Sequence, residues 1–188
     1  RAYRTVERMT DMLMAMLRRV RAVDDPLGIA GEPVNLSDVV ETVAALNEPL
    51  ARQANVRIRT YCAEPLFVAG DRDLLLQAID NLVNNAIRHT RLGGMVVCEA
   101  AADNDEAVVT ISDQGNGLAA ATQKNLFRPT AGSSIQVDPT STSASTSIGL
   151  GLWIVSVIAA RHGGTVEADN IPGRGGAVFT IRLPIDAS

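Results

Sequence analysis

Asp80-Asn81-Leu82-Val83-Asn84-Asn85-Ala86-Ile87-Arg88-His89 carries two patterns at once. Leu75, Ala78, Ile79, Leu82 and Ala86 recur at helical spacing and form an apolar face that reads as core. Asn81, Asn85 and Arg88 stand at i, i+4 and i+7 and share a second face. Asp71 sits where an N-cap would open this helix. Two carboxamides and a guanidinium on one stripe suit a metal ion and the phosphates it bridges. Taken alone, the same stripe also suits a plain solvated face.

Two glycine motifs downstream decide between these readings. Asp113-Gln114-Gly115-Asn116-Gly117 follows an apolar alternating run. A carboxylate at a strand end can accept from an exocyclic amine, and the glycines let a flat ring approach the backbone. Gly149-Leu150-Gly151-Leu152-Trp153-Ile154-Val155 is a glycine pair opening an apolar helix. Free N–H groups at such a start, aided by the helix dipole, suit phosphate oxygens. Neither a GxGxxG fingerprint nor a Gly-Lys-Ser/Thr phosphate loop occurs.

Around these motifs helical and strand patterns alternate. Asn35 or Ser37 caps an expected helix running to about Gln53, with Val40, Val43, Ala44 and Leu50 inward. Strands are expected at residues 56–61, 66–69, 95–100, 107–112, 164–168 and 177–183, with a turn at Asp103-Asn104-Asp105. A helix is expected from about Gly151 to His162, where His162 would cap the helix or meet its dipole. Residues 129–148 are Thr, Ser, Ala and Gly with few large apolar side chains, a composition expected of a loop. The sum is an α+β fold: a two-layer sandwich of a mixed sheet with helices on one face.

Upstream, Ala2, Val6, Met9, Leu13, Met16, Val20 and Val23 are spaced alternately four and three apart. That narrow seam is coiled-coil-like and asks for a partner helix. Asp24-Asp25-Pro26-Leu27-Gly28 ends it and opens a linker to about Pro33. The division expected is residues 1–30 as helix end plus linker and 31–188 as the globular domain.

The net charge of −4 disfavours a nucleic-acid surface. Cys62 and Cys98 lack metal spacing and form no disulfide framework, so both are expected as small apolar residues in strands. No apolar run approaches a membrane span and no signal peptide is visible. Because the chain starts at Arg1, a fragment is expected, with membrane contact only through a segment upstream.

The order of motifs, an Asn-rich helix, DxGxG, Leu126-Phe127-Arg128-Pro129, a loop, GxGL and a Gly-rich hairpin, resembles the catalytic, ATP-binding domain of bacterial sensor histidine kinases. That family shares a Bergerat-type fold with gyrase, Hsp90 and MutL, and the resemblance covers about residues 31–185. Residues 1–30 resemble the end of the dimerisation and phosphoacceptor domain. The resemblance implies ATP and Mg²⁺ as ligands, with Asn85 as the metal ligand. Asn81 would support phosphate or metal-bound water, Arg88 would stand near the phosphates, and His89 beside the nucleotide. Asp113 would accept from the adenine amine in a pocket shaped by Gly115 and Gly117. Residues 129–148 would be a lid, with Phe127 at its hinge. Gly149, Leu150, Gly151 and Leu152 would border the phosphates. Gly173, Gly175, Gly176 and Phe179 would form a structural hairpin.

The implied activity is γ-phosphoryl transfer from Mg-ATP to a histidine outside this chain, then to a response regulator, in a cytoplasmic, homodimeric kinase. Hydrolytic relatives carry a Glu where Asn81 stands; an amide has no useful basicity, so water attack is disfavoured. Only His89 and His162 occur, neither in a phosphoacceptor motif. The lid carries no Lys or Arg, and Asp138 is its only charge, which leaves Lys124, Arg128 and Arg91 as candidate basic groups. The alternative is a pseudokinase or nucleotide-sensing scaffold that binds a signalling partner without phosphotransfer.

Overall fold

The computed structural model describes residues 32–62, 64–119, 123, 126–128 and 150–185. The coiled-coil-like helix expected before residue 24, the lid expected over 129–148, Lys124, Gly149 and the side chain of Leu150 lie outside the described residues. The elements run β1 (Glu32–Asn35), α1 (Leu36–Gln53), β2 (Arg57–Cys62), β3 (Phe67–Gly70), α2 (Arg72–His89), β4 (Met95–Asp103), β5 (Glu106–Ser112), α3 (Leu150–Arg161), β6 (Thr165–Asn170) and β7 (Ala177–Pro184).

Local chemistry starts the two long helices where expected. Asn35 Oδ1 accepts from the Ser37 N–H at 3.1 Å and also from the Leu66 N–H, so one cap ties α1 to the approach of β3. Asp71 Oδ1 accepts from the Asp73 and Leu74 N–H groups at 2.9 and 3.1 Å and opens α2. At the other end of α2, Arg88 and His89 stand in the last turn, where basic groups complement the helix dipole.

Five strands form one sheet in the order β2-β4-β5-β7-β6; β2 and β4 are parallel and the other pairs antiparallel. β1 and β3 form a separate antiparallel pair. The sheet alternates sharply. Cys98, Ile111 and Phe179 are cross-strand partners in one row, all buried, while Glu99, Thr110 and Thr180 form the next row on the open face. Leu75, Ala78, Ile79, Leu82 and Ala86 of α2 are buried as the apolar stripe demands. α2 packs between α1 and α3, and the three helices cover one face of the sheet. The α+β two-layer sandwich expected from the sequence is the fold observed.

Three expectations need correction. The linker does not reach Pro33, because residues 32–35 form β1. Proline is tolerated there because the strand has a partner on one side only. Leu50 is 38% exposed rather than inward; with Leu46 it lies on the flank of α1, while Asn47 and Ala51 take the inward positions. His162 does not merely cap α3. It is buried, with Nδ1 2.7 Å from the Ile158 carbonyl oxygen and Nε2 accepting the Asp71 N–H at 3.0 Å. That pairing requires the neutral Nδ1–H ring.

The two cysteines lie in strands, as expected. Burial pushes the Cys98 thiol up to about 12 and also raises Cys62, so neither supplies a thiolate at neutral pH.

Candidate functional site

A cavity of about 300 Å³ opens beside the C-terminal half of α2. Asn85 and His89 line it from α2, Leu152 from α3, and Ala177 and Phe179 from β7. The segment after β5 contributes Asp113, Asn116, Gly117, Leu118 and Ala119, and Leu126 adds an apolar wall. The lining is therefore an apolar slot with a few polar groups, the usual make-up of a small-molecule site.

Asp113 is the best-held of those polar groups. It is 3% exposed, and its Oδ1 accepts from the Gly115 N–H at 2.8 Å and the Ala177 N–H at 3.2 Å. Its backbone N–H donates to the Ala177 carbonyl oxygen, which locks the end of β5 to the start of β7. Among the described residues nothing pairs with Oδ2, and no fully buried side-chain oxygen or nitrogen lacks a partner. Oδ2 is therefore the acceptor that Asp113 offers to the cavity.

The glycines around Asp113 are there for space. A Cβ on Gly115 would overlap the His89 carbonyl oxygen, and one on Gly176 would overlap the Asp113 carbonyl oxygen. Gly117 adopts φ 77, where a side chain would also press on Asn170 Oδ1. Asn170, on the edge strand β6, clamps the next residue from both sides: its Oδ1 accepts from the Leu118 N–H and its Nδ2 donates to the Leu118 carbonyl. Gln123 donates to the Ala168 carbonyl and to Asp169 Oδ1 on the same strand.

The opposite side is built from side chains. The carboxamides of Asn81 and Asn85 are half-buried, and among the described residues neither has a hydrogen-bond partner. Asn85 reaches the cavity directly. Asn81 lies behind it, where its Oδ1 would stand 3.5 Å from a Cβ on Gly151. α3 is described from Leu150, and its Leu152 lines the cavity.

Of the residues singled out in the sequence, Asn85, His89, Asp113, Gly117 and Leu152 line one cavity. Asn81, Gly115 and Gly151 neighbour lining residues, and Arg88 is exposed in the last turn of α2. Phe179 is corrected from purely structural to cavity floor: it is a sheet residue on the helix-covered face, where core and floor are continuous. Arg91 is corrected as a phosphate candidate, because its Nη2 donates to Asn116 Oδ1 at 3.1 Å beside the Gly-rich turn. Asn116, Leu118, Ala119, Leu126 and Ala177 were not foreseen as lining. Asn116 lies within DxGxG, Leu118 and Ala119 directly follow it, Leu126 belongs to the Leu-Phe-Arg-Pro segment and Ala177 starts a strand.

An unpartnered Asn oxygen suits a hard divalent cation that keeps waters and shares phosphate oxygens. Among the described residues no three His, Cys, Asp or Glu side chains converge on a cation. A metal here would therefore rest on Asn85 and the ligand's own oxygens.

Comparison with known proteins agrees with this layout. Residues 70–187 match the family described as Histidine kinase-, DNA gyrase B-, and HSP90-like ATPase. Sensor protein SphS of Synechococcus elongatus is 33% identical over 185 residues, 97% of this chain and 45% of its own length. Sensor protein IrlS of Burkholderia pseudomallei is 30% identical over 182 residues, 97% of this chain and 38% of its own. The chain thus spans less than half the length of these curated relatives. Among solved structures, the mycobacterial sensor histidine kinase MprB superposes with a TM-score of 0.67 at 26% identity, over 82% of this chain and 97% of that one. Full-length ShkA in complex with AMPPNP gives 0.71 at 26% identity, over 100% of this chain and 39% of that one. With its two-layer fold, its Asn-faced α2 and its Asp113 cradle, the chain belongs to the histidine kinase-, DNA gyrase B- and HSP90-like ATPase family, as an ATP-binding catalytic domain of the sensor histidine kinase type.

Proposed function

We propose that this domain binds Mg-ATP in the 300 Å³ cavity and presents the γ-phosphoryl group to a histidine supplied by a dimerisation and phosphoacceptor domain. The observation that carries this reading is that one cavity brings Asp113 together with Asn85 of α2, with Asn81 one turn behind, neither carboxamide having a hydrogen-bond partner among the described residues. Asp113 accepts from the amine of adenine, and Phe179 and Leu152 pack against the base. Asn85 Oδ1 would hold the Mg²⁺, which would supply positive charge to the phosphates when bound. Asn81 orients the phosphate side, Arg88 adds positive charge there, and the start of α3 at Leu150 and Gly151 donates to phosphate oxygens.

Transfer follows from what the site lacks as much as from what it holds. Asn81 cannot take a proton from water, so hydrolysis has no base at that position. An imidazole nitrogen needs none: it attacks the γ-phosphorus with its own lone pair, the bond to the β–γ bridging oxygen breaks, and ADP leaves. The acceptor histidine, the preceding helical domain over residues 1–30, homodimerisation through it, and a response regulator as final acceptor all belong to this proposal. So does a cytoplasmic location, since ATP is cytoplasmic; among the described residues no helix is long and apolar enough to cross a membrane.

The test is calorimetric titration with AMPPNP and Mg²⁺, followed by phosphotransfer to a separately supplied acceptor domain. Saturable binding weakened by Asn85→Ala and Asp113→Ala, with label moving to the acceptor histidine, is expected. Binding without transfer would turn the domain into a nucleotide-sensing scaffold. No binding by a folded chain would end the nucleotide reading.

A further inference from the structure

The residue between the two later glycines of Asp113-Gln114-Gly115-Asn116-Gly117 carries a carboxamide, and its orientation is settled by its partner. Arg91 Nη2 lies 3.1 Å from Asn116 Oδ1. A guanidinium only donates, so the oxygen of the carboxamide must take that side. Two N–H donors on Nδ2 are thereby turned away from Arg91, on a residue that lines the cavity. Among the described residues Nδ2 has no acceptor. Within three residues the chain therefore offers an acceptor, Asp113 Oδ2, and a pair of donors, Asn116 Nδ2.

That combination has a chemical complement. Adenine carries an amine flanked on both sides by ring nitrogens that accept. Guanine places a carbonyl oxygen where adenine has the amine, and a ring N–H beside it. An acceptor next to a donor fits the first and opposes the second. We propose that Asn116 is a second base-reading residue, donating from Nδ2 to a ring nitrogen beside the amine that Asp113 accepts from, and that Arg91 is its positioning residue. This deepens the nucleotide reading above and rests on it.

Arg91 is placed for that task by backbone on both sides. Its N–H donates to the Gln114 carbonyl, and Gln114 Oε1 accepts from the Met95 N–H at 3.0 Å. The segment after α2 is thus pinned to the DxGxG turn at two points. A Cβ added at Gly175 would stand 3.9 Å from Arg91 Nη2, so the guanidinium lies near the β6–β7 turn. Asn116 is exposed at the rim, so its bond to the base contributes as one ordinary hydrogen bond.

The experiment titrates the full chain with ADP, 1-deaza-ADP and 7-deaza-ADP in the presence of Mg²⁺, with thermal unfolding as the folding control. Each analogue lacks one of the two ring nitrogens. The wild type is expected to bind one analogue about tenfold more weakly than ADP, the loss of one hydrogen bond. Asn116→Leu should bind ADP about tenfold more weakly and lose that discrimination. Arg91→Met should erode the same discrimination while leaving the unfolding temperature in place, which a merely structural arginine would not do. Asn116→Leu that binds ADP like the wild type, or keeps the analogue preference, overturns the proposal alone. A folded wild type that binds no ADP overturns the nucleotide reading and this inference with it.

Discussion

The two ends of the cavity are made in different ways. The Asp113 end is backbone packed on backbone: a carboxylate oxygen saturated by two N–H groups, and glycines seated against the carbonyls of His89 and Asp113. The Asn81–Asn85 end is side chains on α2 beside α3, and among the described residues neither carboxamide has a hydrogen-bond partner. A preformed cradle loses little entropy when it is filled. The two carboxamides, without partners among the described residues, keep hydrogen-bonding capacity for a ligand. On the proposed reading, base recognition would be part of the fold and phosphate recognition an addition to it. The glycines on the two sides should answer differently to the same substitution.

The sharpest break would come at Gly176. At φ 95, with a Cβ overlapping the Asp113 carbonyl oxygen, Gly176→Ala should cost about 3 kcal/mol of stability from strain and overpacking. Gly173 separates those causes. It has φ 73 but, among the described residues, no atom within 4 Å of an added Cβ, so Gly173→Ala should cost only about 1 kcal/mol. Urea unfolding measures both, and equal costs would remove close approach as the reason for Gly176.

Asp113→Asn tests chemistry with the cradle left standing. An amide oxygen still accepts from Gly115 and Ala177, so stability should hold. The amide NH₂ then meets the adenine amine, donor against donor. Affinity for ADP should fall about 30-fold, roughly 2 kcal/mol. A fall in stability of similar size would mean that the carboxylate charge serves the fold rather than the ligand.

These contrasts were unevenly legible in the sequence. The eighteen residues of α2 hold enough turns for a 3.6-residue period to separate its Asn face from its core face. Asp113 stands out because a strand ends in front of it and glycines follow. β1 offered only four residues with a proline inside, and its partner β3 lies beyond a whole helix, so no period could declare it. Asn116 and Leu118 sit in a turn, where spacing carries no facing information. Arg91 was assigned by charge alone, yet the direction of the chain after α2 carries it to the DxGxG turn instead. The partner of His162 is 91 positions away and is a backbone N–H, a donor present at nearly every position and so invisible to any motif.

That His162 contact holds the helices of the phosphate end together, joining the end of α3 to the start of α2. Burial lowers its pKa from 6.5, outweighing the Ile158 carbonyl and Asp71 that raise it, while Arg161 adds to the lowering. The folded ring is therefore neutral while the unfolded one takes a proton below about pH 6.5. Its contribution to stability is present above that value and is lost as pH falls toward the lowered folded pKa. Urea midpoints at about pH 7.5 and about pH 5.5 should differ for the wild type. His162→Gln, which cannot titrate, should flatten that difference; an unchanged slope would place the titrating group elsewhere.

The smallest effect is the most telling for the comparison. Among the described residues, an added Cβ at Gly151 would meet only the Asn81 carboxamide, with Oδ1 at an ordinary contact distance of 3.5 Å. Gly151 lies within α3, and alanine favours a helix over glycine. Gly151→Ala should therefore stabilise the chain by about 0.5 kcal/mol, the opposite sign to Gly176→Ala. The new methyl group would sit between Asn81 and the first turn of α3, where phosphate is expected to approach. ADP should bind more weakly while adenosine binds as before, because only the phosphate end has changed. A glycine that weakens its own fold is then explained by its ligand. If Gly151→Ala instead destabilised the chain, or weakened adenosine and ADP alike, the two ends would be one rigid unit and the division between cradle and addition would fail.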